Sequence, residues 1–152
     1  MSGEIFLNNR QKRVSIHAGK IKRAAKKILS RLGFQDYDLS IVIVDDQEMT
    51  QLNRQYFQRN RPTNVISFPM AAGDPADLPS KILGDVVISA ETAKRQAEEA
   101  GGKGMNEVLF LLIHGILHLA GYDHEGAAEE RKKMEDKERK LLSLLMRSGP
   151  RK

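Results

Sequence analysis

Residues 105–124 read MNEVLFLLIHGILHLAGYDH, and the rest of the chain is expected to fold around this stretch. Apolar residues occupy most positions from Val108 to Leu119, which predicts a helix from Met105 to Ala120 that is buried on almost all sides. Polar rings inside such a helix cost about 1–3 kcal/mol each when they have no partner. Binding a metal ion removes that cost for the histidines of this stretch.

The stretch contains three of the four histidines of the chain, namely His114, His118 and His124. Histidines four positions apart share one helix face with Cβ atoms about 5–6 Å apart, so both imidazoles can bind one zinc ion at about 2.0–2.1 Å. Gly121 can adopt the left-handed conformation that ends a helix, and His124 can then return as a third ligand. Three protein ligands and one open position are typical of catalytic zinc. We therefore predict one zinc ion per chain at the end of the buried helix.

The ligand spacing His-x-x-x-His-x-x-Gly-x-x-His is also that of the metzincin proteases. Those enzymes carry a glutamate directly after the first histidine, as the general base that activates the metal-bound water. Gly115 occupies this position here, so peptide hydrolysis by that route is not expected. Three neutral imidazoles leave the charge of the metal uncompensated, which favours an anionic substrate such as a phosphodiester. Asp123 is the nearest candidate base or orienting group, and a turn aspartate bonded to the backbone fits its position equally well.

Length and composition describe one ordinary domain of a globular protein. The chain has 152 residues, of which 30% are charged and 40% hydrophobic, and it has no cysteine. A metal site must therefore use nitrogen and oxygen ligands. The N-terminus lacks the basic start and apolar run of a signal peptide, and the longest apolar run, Val108 to Ile113, is far shorter than the ~20 residues of a membrane span. We expect a cytoplasmic protein with no membrane contact.

The net charge of +5 favours polyanionic partners without establishing one. Lysines and one arginine line the polar surface of a helix predicted from His17 to Leu32; they are Lys20, Lys22, Arg23, Lys26 and Lys27. This basic surface is either a solvated helix face or a surface that contacts RNA. Aromatic residues make up only 5% of the chain, so phosphate and shape contacts are expected rather than base stacking.

Periodicity predicts four strands and five helices in all. The predicted strands are 4–8, 39–44, 64–68 and 83–89, and the helices are 17–32, 47–57, 90–100, 105–120 and 127–146. Gly33 is expected to end the first helix and Ser89 to cap the third. Residues 70–80 are expected to form an exposed loop. Strands interleaved with helices indicate an α/β or α+β domain, but the order of the strands is not readable from the sequence.

Three segments together resemble one known family. Residues 114–124 resemble the H-G-x-L-H-L-x-G-Y-D-H signature of the YbeY family, bacterial endoribonucleases of ribosomal RNA maturation. Residues 52–69 resemble its L-N-x-x-Y-R-x-x-x-x-P-T-[DN]-V-[LI]-S-F-P stretch, and residues 84–89 resemble its G-D-[IV]-x-I-S strand. The three matches occur in the family's order, which makes coincidence remote.

The resemblance implies a fold and an activity. The fold is α+β: a single zincin-like domain over residues 1–152, with a small mixed sheet packed with helices and the metal site at the end of a buried helix. The activity is that of a single-strand-specific, metal-dependent endoribonuclease, with zinc held by His114, His118 and His124. The implied roles are maturation of the 3′ end of 16S ribosomal RNA and ribosome quality control, with ribosomal RNA and the small ribosomal subunit as partners.

The chain departs from the family at one position of interest. After the tyrosine, here Tyr56, the family usually has an arginine thought to matter for RNA cleavage, whereas this chain has Phe57. We predict that Arg59 takes this catalytic role, and that further residues bind substrate or line the site. These are Arg54, Arg61, Thr63, Asn64 and Ser67. For the last three, turn and strand structure is the alternative role.

Two other functions stay open on the sequence alone. One is a metal-dependent hydrolase of peptides or small molecules, which the metzincin-like spacing favours and Gly115 disfavours. The other is a ribosome assembly factor whose zinc is mainly structural. The oligomeric state, the metal loaded in the cell and the attacking nucleophile are not indicated by the sequence.

Overall fold

The computed structural model describes residues 3–70, 81–122 and 126–147. The predicted elements are all present, with every boundary within one residue of its predicted place. They are β1 (Ile5–Asn9), α1 (Ala18–Leu32), β2 (Asp38–Val44), α2 (Asp46–Phe57), β3 (Val65–Pro69), β4 (Ile82–Ser89), α3 (Ala90–Glu99), α4 (Gly104–Leu119) and α5 (Ala128–Arg147). Almost all of the predicted loop at 70–80 lies outside the described residues; Met70, at its start, is exposed.

The strands form one mixed sheet in the order β1-β2-β4-β3. The first three strands in this order are parallel, and β3 runs antiparallel to β4. This mixed sheet with packed helices confirms the predicted α+β class. Because β3 is an edge strand, one of its sides is not paired within the sheet and can approach other elements.

The main core lies between one face of the sheet and the helices α1, α4 and α5. The predicted apolar side of α1 is buried, and Gly33, with a φ of 85°, ends this helix as expected. α4 contacts α1, α3, α5, β3 and β4, which explains why it is apolar on nearly all sides. The opposite face of the sheet carries a smaller apolar cluster of Val44, Met49, Ile66 and Val87.

α5 packs on α4 through a narrow apolar stripe. Met134, Leu141 and Leu145 are its buried hydrophobic residues, as the sequence predicted. Each buried side chain of this size contributes about 1.5–3 kcal/mol relative to an exposed one. The stripe fixes which side of a highly charged helix faces the histidine-bearing part of α4. Within the described parts of the chain, no helix is both long enough and apolar enough to cross a membrane.

Candidate metal centre

His114 and His118 lie one turn apart near the end of α4, and their side chains converge. The two Nε2 atoms are 3.1 Å apart, and the ring centroids are separated by 4.7 Å. Both histidines are partly exposed, whereas Ile113, Ile116 and Leu117 beside them are completely buried. The buried neighbours hold the helix in place, and the two imidazoles meet at its accessible side.

The spacing of these nitrogens fits a zinc ion. Two Zn–N bonds of about 2.0–2.1 Å at a tetrahedral angle place their nitrogens about 3.3 Å apart. The observed 3.1 Å lies close to that value. Among residues 3–70, 81–122 and 126–147, no set of three side chains is grouped to hold a metal. The other predicted ligand, His124, and the predicted catalytic Asp123 lie outside the described residues.

A carboxylate contacts the ring nitrogen of His114 that does not face His118. Oε2 of Glu138, on α5, lies 2.6 Å from Nδ1 of His114. Glu138 was not predicted from the sequence, because the last helix carries many charged residues. Its helical spacing could have identified it. Glu138 falls four residues after buried Met134 and three before buried Leu141, so it lies on the buried side of the helix. A charged residue in phase with an apolar stripe faces the protein interior, where it needs a partner.

Gly115 marks the closest approach of α4 to the sheet. A Cβ atom at this position would lie 2.6 Å from Cγ1 of Val86, 3.2 Å from Oγ of Ser67 and 3.3 Å from Cγ2 of Val65. The hydroxyl of Ser67 donates a hydrogen bond of 2.8 Å to the carbonyl oxygen of Gly115. The protease glutamate is therefore not only missing but excluded by packing. The same contact brings Ser67 next to the turn that carries His114.

The chain turns immediately after α4 in the predicted manner. Gly121 has a φ of 101°. Its N–H bonds to the carbonyl of His118 at 3.1 Å, and the N–H of Tyr122 bonds to that of Leu117 at 2.9 Å. This pair of bonds is a Schellman motif, which satisfies the last carbonyls of the helix and reverses the chain. The reversal directs the chain away from the helix axis just before Asp123 and His124.

The predicted RNA-binding arginines cluster where α2 ends. Arg54, Arg59 and Arg61 are all exposed. α2 stops at Gln58, whose left-handed φ of 58° turns the chain directly before Arg59. The guanidinium of Arg54 donates two hydrogen bonds, of 3.0 and 2.6 Å, to the side chain of Asn60. Part of this arginine's donor capacity therefore orders the segment between α2 and β3.

Two aromatic side chains flank the arginines. Phe57, at the position where the family usually has arginine, is 49% exposed. Tyr56 packs edge-to-face on Phe68 of β3, with ring centroids 5.0 Å apart. This contact attaches the end of α2 to the edge strand. The segment 58–64 is thus fixed at both ends, and it leads directly into the strand that contacts Gly115.

Asn64 and Thr63 occupy a different position from Ser67. The side chain of Asn64 donates to Oε1 of Gln96 on α3 at 3.2 Å, and its carbonyl accepts from the N–H of Ser89 at 2.9 Å. These bonds attach the start of β3 to β4 and α3, which fits the alternative role of turn and strand structure. Thr63 is half-buried beside it. Of this predicted group, Ser67 is the residue whose contact reaches the histidine-bearing turn.

Comparisons with known proteins agree with one another. The model of the family "Endoribonuclease YbeY" matches residues 6–146. Proteins named endoribonuclease YbeY from Geobacter metallireducens and Geobacter sulfurreducens are 47% and 48% identical over 96% of this chain and 98% of their own. The solution structure of TM1509 from Thermotoga maritima aligns with a TM-score of 0.68 at 28% identity, over 96% of this chain and 93% of that one. The chain therefore belongs to the endoribonuclease YbeY family.

Proposed function

We propose that this protein is a zinc-dependent, single-strand-specific endoribonuclease of the cytoplasm that matures the 3′ end of 16S ribosomal RNA and takes part in ribosome quality control. Membership of the endoribonuclease YbeY family supports the reaction class. The observation that carries the metal dependence is the convergence of the His114 and His118 Nε2 atoms, 3.1 Å apart, at the accessible side of a buried helix.

One zinc ion per chain would be held by His114, His118 and His124. Bound there, zinc would polarise a phosphoryl oxygen and lower the pKa of a water molecule. The chain's own residues bind and orient the RNA. The exposed arginines Arg59 and Arg61 attract the phosphates, and Asp123, next to His124 in the sequence, accepts a proton or orients a ligand. Small-subunit ribosomal RNA and the small ribosomal subunit are the proposed partners.

The position of the segment that carries Arg59 and Arg61 supports binding of RNA next to the histidines. β3 begins four residues after Arg61, and Val65 and Ser67 of this strand lie against position 115, next to His114. RNA held by the arginines therefore passes along the edge of the sheet towards the histidines. The close packing at Gly115 argues against the alternative of peptide hydrolysis, because no side chain at this position can reach a metal-bound water.

A zinc titration combined with an RNA cleavage assay tests the proposal. The wild type should bind one zinc per chain and cut a single-stranded RNA that carries the 3′ precursor end of 16S RNA, but not a duplex. His114→Ala and His118→Ala should each weaken zinc binding at least about 100-fold and stop cleavage, because two ligands hold zinc poorly. In the same assay Arg59→Ala should slow cleavage about tenfold and leave zinc binding unchanged.

The fourth histidine offers a matched control. His17 caps α1 by accepting a hydrogen bond from the N–H of Lys20, and it lies in an exposed position. His17→Ala should leave zinc binding and cleavage at wild-type levels. Cleavage that persists in all three histidine variants, or after complete removal of metal by a chelator, would contradict a zinc-dependent nuclease. Zinc binding with a normal affinity but no RNA cleavage would instead favour an assembly factor with structural zinc.

A further inference from the structure

The contact between Glu138 and His114 determines which nitrogen of that imidazole carries a proton. An ionised carboxylate only accepts hydrogen bonds. At the 2.6 Å separation of Oε2 and Nδ1, an ionised Glu138 therefore accepts its hydrogen bond from Nδ1–H of His114. In the neutral ring, Nε2 is then the nitrogen that carries the lone pair, and this is the atom that faces Nε2 of His118. A lone pair on Nε2 is what a metal ligand needs.

Burial and helix packing fix the orientation of Glu138. Its side chain is 12% exposed, and that of His114 is 21% exposed. Glu138 lies between Met134 and Leu141 on the stripe by which α5 packs on α4, and these two residues are 0% and 1% exposed. The packing of α5 on α4 therefore keeps position 138 on the side of the helix that faces His114.

We propose that Glu138 is a positioning residue, which holds His114 in the tautomer that presents Nε2 to zinc and so makes α5 part of the metal site. The proposal rests on the proposed zinc site. Carboxylates behind metal-binding histidines fix ring orientation and raise ligand basicity, and removing them typically weakens metal binding 10–100-fold. The distance, the burial and the helix phase of Glu138 all fit this role.

A purely structural role makes a different prediction. If the contact only attached α5 to α4, removing the carboxylate would lower the stability of the metal-free protein, and the folded variant would bind zinc as the wild type does. The two roles therefore separate when zinc affinity is measured on folded protein. Glu135 provides a matched control, because it lies one turn earlier on the same helix and is exposed.

The test compares zinc affinities by competition with a chromophoric chelator at neutral pH. We expect Glu138→Gln to weaken zinc binding by at least about tenfold. Glu138→Asp, which keeps the charge, should lie closer to the wild type, and Glu135→Gln should stay within twofold of it. Wild-type affinity in folded Glu138→Gln would overturn the positioning role while the zinc site stands. Failure of the wild type itself to bind zinc would instead overturn the proposed function.

Nuclear magnetic resonance of the imidazole nitrogens gives a second measurement that needs no variant. In the metal-free wild type, the ¹⁵N shifts of His114 should show a protonated Nδ1. In Glu138→Gln, the same shifts should move towards a mixture of tautomers. A wild-type His114 that is protonated only on Nε2 would overturn the proposal, even if the Gln variant failed to fold.

Discussion

The protein contains two polar clusters of similar size that differ in how their donors and acceptors are paired. The carboxylate cluster consists of Asp46, Ser89, Thr92 and Arg95, where α2, β4 and α3 meet. Oδ1 of Asp46 accepts from the hydroxyls of Ser89 and Thr92 at 2.7 and 2.6 Å, and Oδ2 accepts from Arg95 at 2.5 Å. Donors and acceptors match inside this cluster, so it stabilises the fold without a ligand.

The histidine cluster consists of His114, His118 and Glu138, where α4 and α5 meet. Among the described residues, one contact inside this cluster joins a carboxylate to a ring nitrogen, namely Glu138 with Nδ1 of His114. The other places two ring nitrogens of the same kind opposite each other, at 3.1 Å. Two such nitrogens can share one proton, but both can bind one cation. The comparison teaches that matched groups stabilise the fold by themselves, whereas like groups held face to face are an arrangement suited to binding a cation.

Truncating the carboxylate of Asp46 should cause the largest change in stability. Asp46→Ala removes the acceptor of three side-chain donors, so we expect the free energy of unfolding to fall by about 3 kcal/mol. Zinc affinity should remain within twofold of the wild type, since the histidine cluster lies on other helices. Urea denaturation and a zinc titration measure the two quantities.

An exposed ion pair is the control for that variant. Asp36 pairs with Lys81 at 3.0 Å on the surface, and solvent screens such pairs strongly. Asp36→Ala should therefore change stability much less than Asp46→Ala. If folded Asp46→Ala bound zinc tenfold more weakly, the two clusters would not be independent, and the contrast drawn between them would be wrong.

A smaller effect is expected where α4 touches the sheet. Gly115→Ala places a methyl group 2.6 Å from Cγ1 of completely buried Val86. Overpacking of this kind costs about 1–3 kcal/mol, and the better helix propensity of alanine returns about 1 kcal/mol. We expect a net loss of about 1–2 kcal/mol in unfolding free energy, together with weaker zinc binding, because α4 must move relative to β3.

Two further variants sharpen this prediction. Gly104→Ala, at the start of the same helix, meets nothing closer than 3.9 Å, and it should be neutral or slightly stabilising. Val86→Ala removes the clashing methyl, so the double variant Gly115→Ala/Val86→Ala should lose less stability than the two single variants added together. Strict additivity would show that the clash at Val86 is not what makes alanine unfavourable at position 115.

Local signals made most of the fold predictable from the sequence. Apolar periodicity located α4 and its burial, and Gly121 adopted the left-handed conformation that its place after α4 required. The interleaved strands predicted a mixed fold but not the order β1-β2-β4-β3, because which strands pair depends on contacts far apart in sequence. The close approach at Gly115 has the same origin, since it involves Val65 and Val86, about 50 and 29 residues away.

The candidate site was predictable only in part, for a related reason. His114 and His118 are set by helix spacing, and the structure brings them together as predicted. Glu138 lies 24 residues from His114 in sequence, so its partner follows from how α5 packs and not from a motif. For Asn64, site lining stays a prediction from the family motif, and its contacts with α3 and β4 fit the alternative structural role.

The smallest expected effect is the change of stability with pH in acid. It tests whether the charge of Asp46 stabilises the carboxylate cluster. Desolvation raises the pKa of Asp46, but hydrogen bonds from Thr92, Ser89 and Arg95 outweigh it and hold the pKa below its ordinary value. The folded state then binds fewer protons than the unfolded state in acid, so this stabilisation is complete above the ordinary pKa of about 3.9 and is lost as the pH falls through the lowered one.

Asp46→Asn keeps the shape of the side chain and one acceptor while removing the charge. The wild type should be more stable than this variant by a constant amount between about pH 5 and pH 7, and the difference should shrink below about pH 4. Urea denaturation at each pH measures it. A difference that stayed constant to pH 3 would mean that the geometry of the acceptor, and not its charge, stabilises the cluster. The carboxylate cluster would then differ from the histidine cluster in a second respect, because its stability would not depend on an ionised acceptor.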